Sequence, residues 1–197
     1  MTKQLSHVDE ALALATMDIT AKLMPQGWDV VNDVPDSLEG IVRYFVEHGK
    51  VAVSNYFGSD TLFGCPKHSQ AFNAWHDYRH ITQLGAFDRP GERLVDDAMH
   101  ADLLKWWEES KTPITSAAYQ RASMILTVHN VGRLDFWHAY GEAPENPRQF
   151  ALGFLTARGL IEIPTHCHQD MILDHQYPRE LREEPVSVCI EILRQLR

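Results

Sequence analysis

The densest chemistry in the chain lies in the run Trp75-His76-Asp77-Tyr78-Arg79-His80. His76 and His80 stand at i and i+4, so on a helix both project from one face, a turn apart. Asp77 is three residues from His80 and falls at the edge of that face. Two imidazoles and a carboxylate suit a divalent transition metal. Glu92 follows twelve residues after His80 and opens a second helical stripe, with Asp96 and His100 at i+4 and i+8. A hairpin of the two helices brings the stripes together, as in the carboxylate–histidine sites of helical bundles. The expected ligands are therefore His76, Asp77, His80 and Glu92. A metal held there lowers the pKa of its bound water and makes hydroxide available near neutral pH. Asp96 or His100 would then orient that water or carry its proton. Trp75 is expected to wall the pocket, and Arg79, Arg89, Arg93 or Arg133 to receive an anionic group of a small-molecule substrate. Zinc leads the candidate metals, ahead of iron, manganese and magnesium. The bland alternative is a buried polar network that ties two helices together.

The pattern H-D-x-x-H-x11-E resembles the signature of the ubiquinone-biosynthesis family associated with the final ring-modifying complex. The match covers the 17 residues from His76 to Glu92. The resemblance implies a helical fold and metal ligation by His76, Asp77, His80 and Glu92. It also implies a metal-dependent oxidative or decarboxylating step on an aromatic acid. The chain shows no lipid-binding helix signature, so metal binding carries over better than quinone chemistry does. A second resemblance is to HD-type metal phosphohydrolases, which use an earlier His, a His-Asp pair and a later Asp. His48, His76, Asp77 and Asp135 stand in that order. The apolar run expected before His-Asp is replaced here by Ala71, Phe72, Asn73, Ala74 and Trp75. The segment Phe72 to Asp77 is also similar to uncharacterised bacteriophage-encoded proteins. Hydrolysis of a small anionic substrate, with nucleotides among the candidates, is the first expectation. The alternatives are the oxidative enzyme and a non-catalytic, metal-braced interaction module, whose target would be a host protein if the phage similarity holds.

Rival constellations exist. His166-Cys167-His168, followed by Asp170, alternates side chains that can chelate a metal from a loop. His166 and His168 form the alternative ligand pair, and they would also lower the pKa of Cys167 were it a nucleophile. His129 and Asp135 to His138 fall on one long helical pattern, and His129 can face the same interior as the metal stripe. His138, three residues from Asp135, suggests a local hydrogen bond or salt bridge. Neither G-x-G-x-x-G nor G-x-x-x-x-G-K-[ST] occurs, and there is no G-x-S-x-G or H-E-x-x-H. Rossmann, P-loop and serine-hydrolase readings therefore lack support.

Composition narrows the class further. The chain has 197 residues, a formal charge of -9 and 11 histidines. That acidity argues against a duplex nucleic-acid binder and against attachment to anionic membranes. No apolar run is long enough for a membrane span. Residues 1–19 carry Asp9, Glu10 and Asp18 and lack a signal-peptide pattern. Cys65, Cys167 and Cys189 are odd in number and form no C-x-x-C pair, so a reduced, cytoplasmic protein is expected. Adjacent aromatics, Trp106-Trp107 and Phe136-Trp137, suggest core packing or a homo-oligomer contact.

The elements that must position these residues read as mainly α: a single-domain helical bundle over 1–197. Ser6 and Asp9 form a capping signal, and Val8, Leu12, Ala15, Ile19 and Leu23 then recur at helical spacing. Asp36 with Glu39 suggests the next cap, and Gly49 the stop. Residues 50–57 read as a short extended or hairpin segment, and 58–66 as a turn-rich loop. Helices are expected over about 68–84, 90–109 and 115–140, then from Asn146 and Pro147 to about 158. Residues 161–174 show no period, and 186–196 read as a closing helix.

Overall fold

A computed structural model describes residues 7–57, 61–110, 114–142 and 144–157. The described chain is mainly helical. The expected ligands His166 and His168, Cys167, and the closing helix over 186–196 lie outside the described residues.

The first helix, α1 (Glu10–Leu23), starts where the Asp9 carboxylate accepts from the Leu12 amide. α2 (Leu38–His48) is capped by Ser37 rather than by Asp36, and Gly49 closes it in the left-handed region at φ 69°. That conformation costs glycine nothing and other residues about 1 kcal/mol. The extended segment near 50–57 is real but shorter. It is β2 (Ala52–Ser54), paired in parallel with β1 (Asp29–Val31), with Asp29 opposite Ala52. The pairing is therefore no hairpin. β1 escaped the sequence because three residues are too few to display a period.

Two long helices carry the site. α3 (Pro66–Gln83) has Pro66 in its first turn. α4 (Arg89–Glu109) is capped by Asp88, whose carboxylate accepts from the Gly91 amide at 2.8 Å. The expected single helix over 115–140 is three pieces. α5 (Ser116–Thr127) runs into a π-helical turn over Val128–Gly132, which hands on to α6 (Arg133–Tyr140). α7 (Pro147–Ala157) begins at Asn146, whose side chain accepts from the Gln149 amide.

α3 stands between two cores. On one side Phe72 and Trp75 pack with Leu12, Met99, Leu103, Ile125 and Leu126. On the other, Ala74 and Ile81 meet Leu38, Ile41, Val42, Val51 and Val53. Burying each large apolar side chain contributes about 1.5–3 kcal/mol. α3 is thereby held on both flanks, and its contact with α4 continues from Met99 and Leu103 to Glu92. Of the adjacent aromatics, Trp106 is buried and donates to Asp18 at 2.9 Å, while Trp107 stacks on Tyr119. Among the described residues, no helix is long and apolar enough to cross a membrane.

Candidate metal centre

The site depends on a tight reversal between α3 and α4. Leu84 ends α3 with φ 53°, and Gly85 and Gly91 let the two helices close. A Cβ on Gly91 would sit 2.0 Å from the Ala86 carbonyl oxygen, and one on Gly85 would sit 2.8 Å from the Gly91 oxygen. Neither contact is sterically allowed, so both positions need glycine. The closure lays the first turn of α4, with Glu92, against the last two turns of α3.

There the His76 and His80 Nε2 atoms meet one carboxylate. His76 Nε2 lies 3.1 Å from Glu92 Oε2, and His80 Nε2 lies 3.3 Å from Glu92 Oε1. One donor atom from each of the three residues falls within 4.8 Å of the others. The rings stand edge to face, 4.5 Å between centroids.

The outer edges of the rings decide the inner ones. His80 Nδ1 donates to the Gly85 carbonyl at 2.6 Å, and His76 Nδ1 donates to Asp77 Oδ1 at 3.1 Å. A carbonyl and a carboxylate only accept, so each Nδ1 carries the hydrogen. In the neutral tautomers both Nε2 atoms then present lone pairs to an acceptor-only carboxylate. His80 is fully buried, and among the described residues its Nε2 has no hydrogen bond of acceptable geometry. Three electron-rich groups facing one another require a positive charge between them, either a proton or a cation.

The electrostatics say the same. Burial works against charge on His76, but hydrogen bonds to Asp77 and Glu92 outweigh it and raise the group to about 10. Burial also opposes ionisation of Glu92, yet His76 and His80 hold that carboxylate well below its usual range. Without a metal, a proton fills the role.

Asp77 thus sits behind His76 and orients it, and it is not one of the three groups that converge. Asp96 and His100 lie one and two turns further along α4, in a different network. Asp96 accepts from Thr127 Oγ1 at 3.2 Å and Asn130 Nδ2 at 3.1 Å. His100 meets Thr127 Oγ1 at 2.8 Å and Ser123 Oγ at 3.1 Å. Trp75 is wholly buried, and its Nε1 donates to Asp102. Arg79 forms a two-point ion pair with the same Asp102 carboxylate. Arg93 is exposed, and Arg89 pairs with Asp135 at 2.7 Å. Asp135 therefore pairs with the start of α4 rather than with His138. His48 is exposed at the end of α2, stacked on Tyr44. Neither His48 nor Asp135 joins the converging group.

A cavity of about 300 Å³ opens in front of His76 and Glu92. Its far wall comes from the π-helical turn and α6: His129, Asn130, Arg133, Leu134 and Trp137. His129 does face the same interior as His76. Asn130 and Trp137 went unrecognised as site residues, because an α-helical period fails across a π turn. The i, i+4 pair His129 and Arg133 was the available signal.

In comparisons with known proteins, no family model, curated protein or solved structure matches the chain.

Proposed function

We propose that this chain is a metal-dependent hydrolase that holds a divalent cation, zinc first, on His76, His80 and Glu92. The reading is carried by one observation: the fully buried His80 Nε2, with its lone pair set by the Nδ1 bond to Gly85, has no hydrogen-bond partner among the described residues and stands 3.3 Å from Glu92 Oε1, beside His76. Two histidines and one carboxylate make the ligand set of several catalytic zinc sites, which leave a position open for water. Bound there, the cation would make a hydroxide available near neutral pH.

The chain's own residues supply the rest. Asp77 and the Gly85 carbonyl fix the two rings, which raises their basicity and sets their angle. Phe87 packs against His80 at 4.3 Å between centroids and screens it from water. Glu92 contributes the charge that makes the site selective for cations. The cavity beside His76 receives the substrate, a small anionic molecule, nucleotides included.

Elemental analysis of purified protein tests this directly. Near-stoichiometric metal is expected, abolished in the His76→Ala, His80→Ala double variant, with chelator-sensitive turnover on a panel of nucleotides and aryl phosphates. Metal content unchanged in that variant refutes the site. The same donor set is also the facial triad of non-haem iron. Iron, with oxygen-dependent turnover of an aromatic acid, would move the assignment to an oxidative enzyme. Full metal with no turnover, and a melting temperature that collapses on chelation, would mark a structural brace.

A further inference from the structure

The converging residues meet the cavity unequally. His80 is fully buried, with Phe87 packed against its ring. His76 and Glu92 instead line the cavity of about 300 Å³, so a molecule held there lies on their side of the site. α3 contributes one more residue to the same lining, Asn73. Asn73, His76 and His80 stand at i, i+3 and i+7, which puts all three on one face of the helix. Asn73 is one turn, about 4.5 Å along the axis, before His76.

Asn73 differs from the polar residues around it. Asn130 is tied to Asp96, Arg133 to His129, and His76 to Asp77 and Glu92. The half-buried Asn73 side chain has no hydrogen-bond partner among the described residues, and neither atom of its carboxamide is shut off from solvent. In the middle of α3 asparagine is a weaker helix former than alanine, so its presence gains nothing for the helix itself.

A carboxamide presents a donor and an acceptor side by side. Its complement is an acceptor and a donor at the same spacing, and asparagine reads a base edge by such two-point pairing. The –CO–NH– edge of a ring is such a complement. Across the cavity stand Leu134 and Trp137, the latter 36% exposed although it is a large aromatic side chain. The face of an indole accepts a flat ring.

We infer that Asn73 is a specificity-determining residue of the proposed metal site: it holds a flat heterocycle by a –CO–NH– edge of the kind uracil presents, with the ring against Leu134 and Trp137. The inference rests on the hydrolase reading and narrows its small anionic substrates to those that carry such a ring. The volume of about 300 Å³ suits one ring with a small substituent.

Isothermal titration with uracil, 1,3-dimethyluracil and benzoate tests this on zinc-loaded wild type, Asn73→Ala and Asn73→Asp. Dimethyluracil keeps the ring and carbonyls but has no N–H, and benzoate is flat without an amide edge. Zinc content is read separately by elemental analysis, and wild type and Asn73→Ala should both be fully loaded. Uracil should bind about tenfold more weakly to both variants, because alanine offers neither group and aspartate only accepts. Dimethyluracil should bind the wild type about tenfold more weakly than uracil does, and Asn73→Ala should not weaken it further. Benzoate affinity should be the same in wild type and Asn73→Ala, which shows the cavity intact. Wild type that does not bind uracil, an Asn73→Ala variant that binds it as well as the wild type, or dimethyluracil bound as tightly as uracil overturns the inference. So does a loss of benzoate affinity in Asn73→Ala equal to the loss for uracil. A wild type that takes up no zinc overturns the metal reading, and its uracil affinity beside that of Asn73→Ala still decides the role of Asn73.

Discussion

At the start of α4, Glu92 faces His76 and His80; one turn along, Asp96 faces His100 at 3.6 Å. Both clusters pair imidazole with carboxylate, and their carboxylates lie on one stripe of α4. Their wiring differs. Around Asp96 and His100, two hydroxyls and an amide fill the gaps, so that donors meet acceptors: Thr127, Ser123 and Asn130 satisfy both imidazole nitrogens and both carboxylate oxygens. Among the described residues, no hydroxyl or amide is hydrogen-bonded to Glu92, which meets only the two imidazoles. The outward nitrogens are taken by Asp77 and Gly85, and the inward ones meet only the carboxylate. On the proposed reading, the cluster whose acceptors face each other holds the cation, and the one whose donors separate its acceptors is a structural tie.

The largest effect should come from the converging atoms themselves. His80→Ala removes a ligand and leaves Glu92 with an uncompensated charge. Metal affinity should fall by about 100-fold or more, read by competition with a chromophoric chelator. Next is the reversal that brings the helices together. Gly91→Ala places a Cβ 2.0 Å from the Ala86 oxygen. The hairpin must open, with a loss of about 3 kcal/mol in urea unfolding and loss of metal together. Asp77→Asn keeps the three converging groups but weakens the orientation of His76, and metal affinity should drop about 10-fold.

The contrasting cluster should respond in stability alone. Asp96→Ala leaves Thr127 and Asn130 without their acceptor and should cost about 2 kcal/mol, with metal content unchanged. Metal loss in that variant would erase the distinction between the two clusters. The smallest effect is a pH dependence at His129. Burial, then Arg133 and His76, hold its pKa well below the ordinary 6.5 despite the opposing charge of Glu92. Above pH 6.5 the group is neutral folded or unfolded and contributes no slope. As pH falls below 6.5 the unfolded chain takes a proton that the fold excludes, so stability declines, by at most about 1.4 kcal/mol per pH unit. His129→Gln should flatten that part of the profile in unfolding curves taken from pH 7.5 to 5.

Much of this arrangement was legible in the residues. The i, i+4 spacing of His76 and His80, and a second helix expected from about residue 90 with Glu92 in its first turn, bring the two imidazoles and Glu92 together as a helical hairpin in the sequence alone. The mainly helical class follows from the same periods. What was illegible has physical reasons. Asp77, adjacent to His76, satisfies a ring nitrogen from behind, and spacing cannot separate that role from ligation. The role of Arg79 turned on Asp102, a partner 23 residues away. Asp96 and His100 looked like proton carriers because Ser123, Thr127 and Asn130, which satisfy them, lie on a different element. The π turn broke the helical period at the very residues that wall the cavity. The parallel pair β1–β2 joins segments separated by α2, and no local pattern announces such a pairing.

The central claim concerns where a cation sits, and anomalous diffraction from crystals grown with zinc reads that position directly. The account predicts one strong peak within about 2.0–2.2 Å of His76 Nε2, His80 Nε2 and a Glu92 carboxylate oxygen. A peak at His166 and His168 with none at Glu92, or no peak in zinc-saturated crystals, would contradict it.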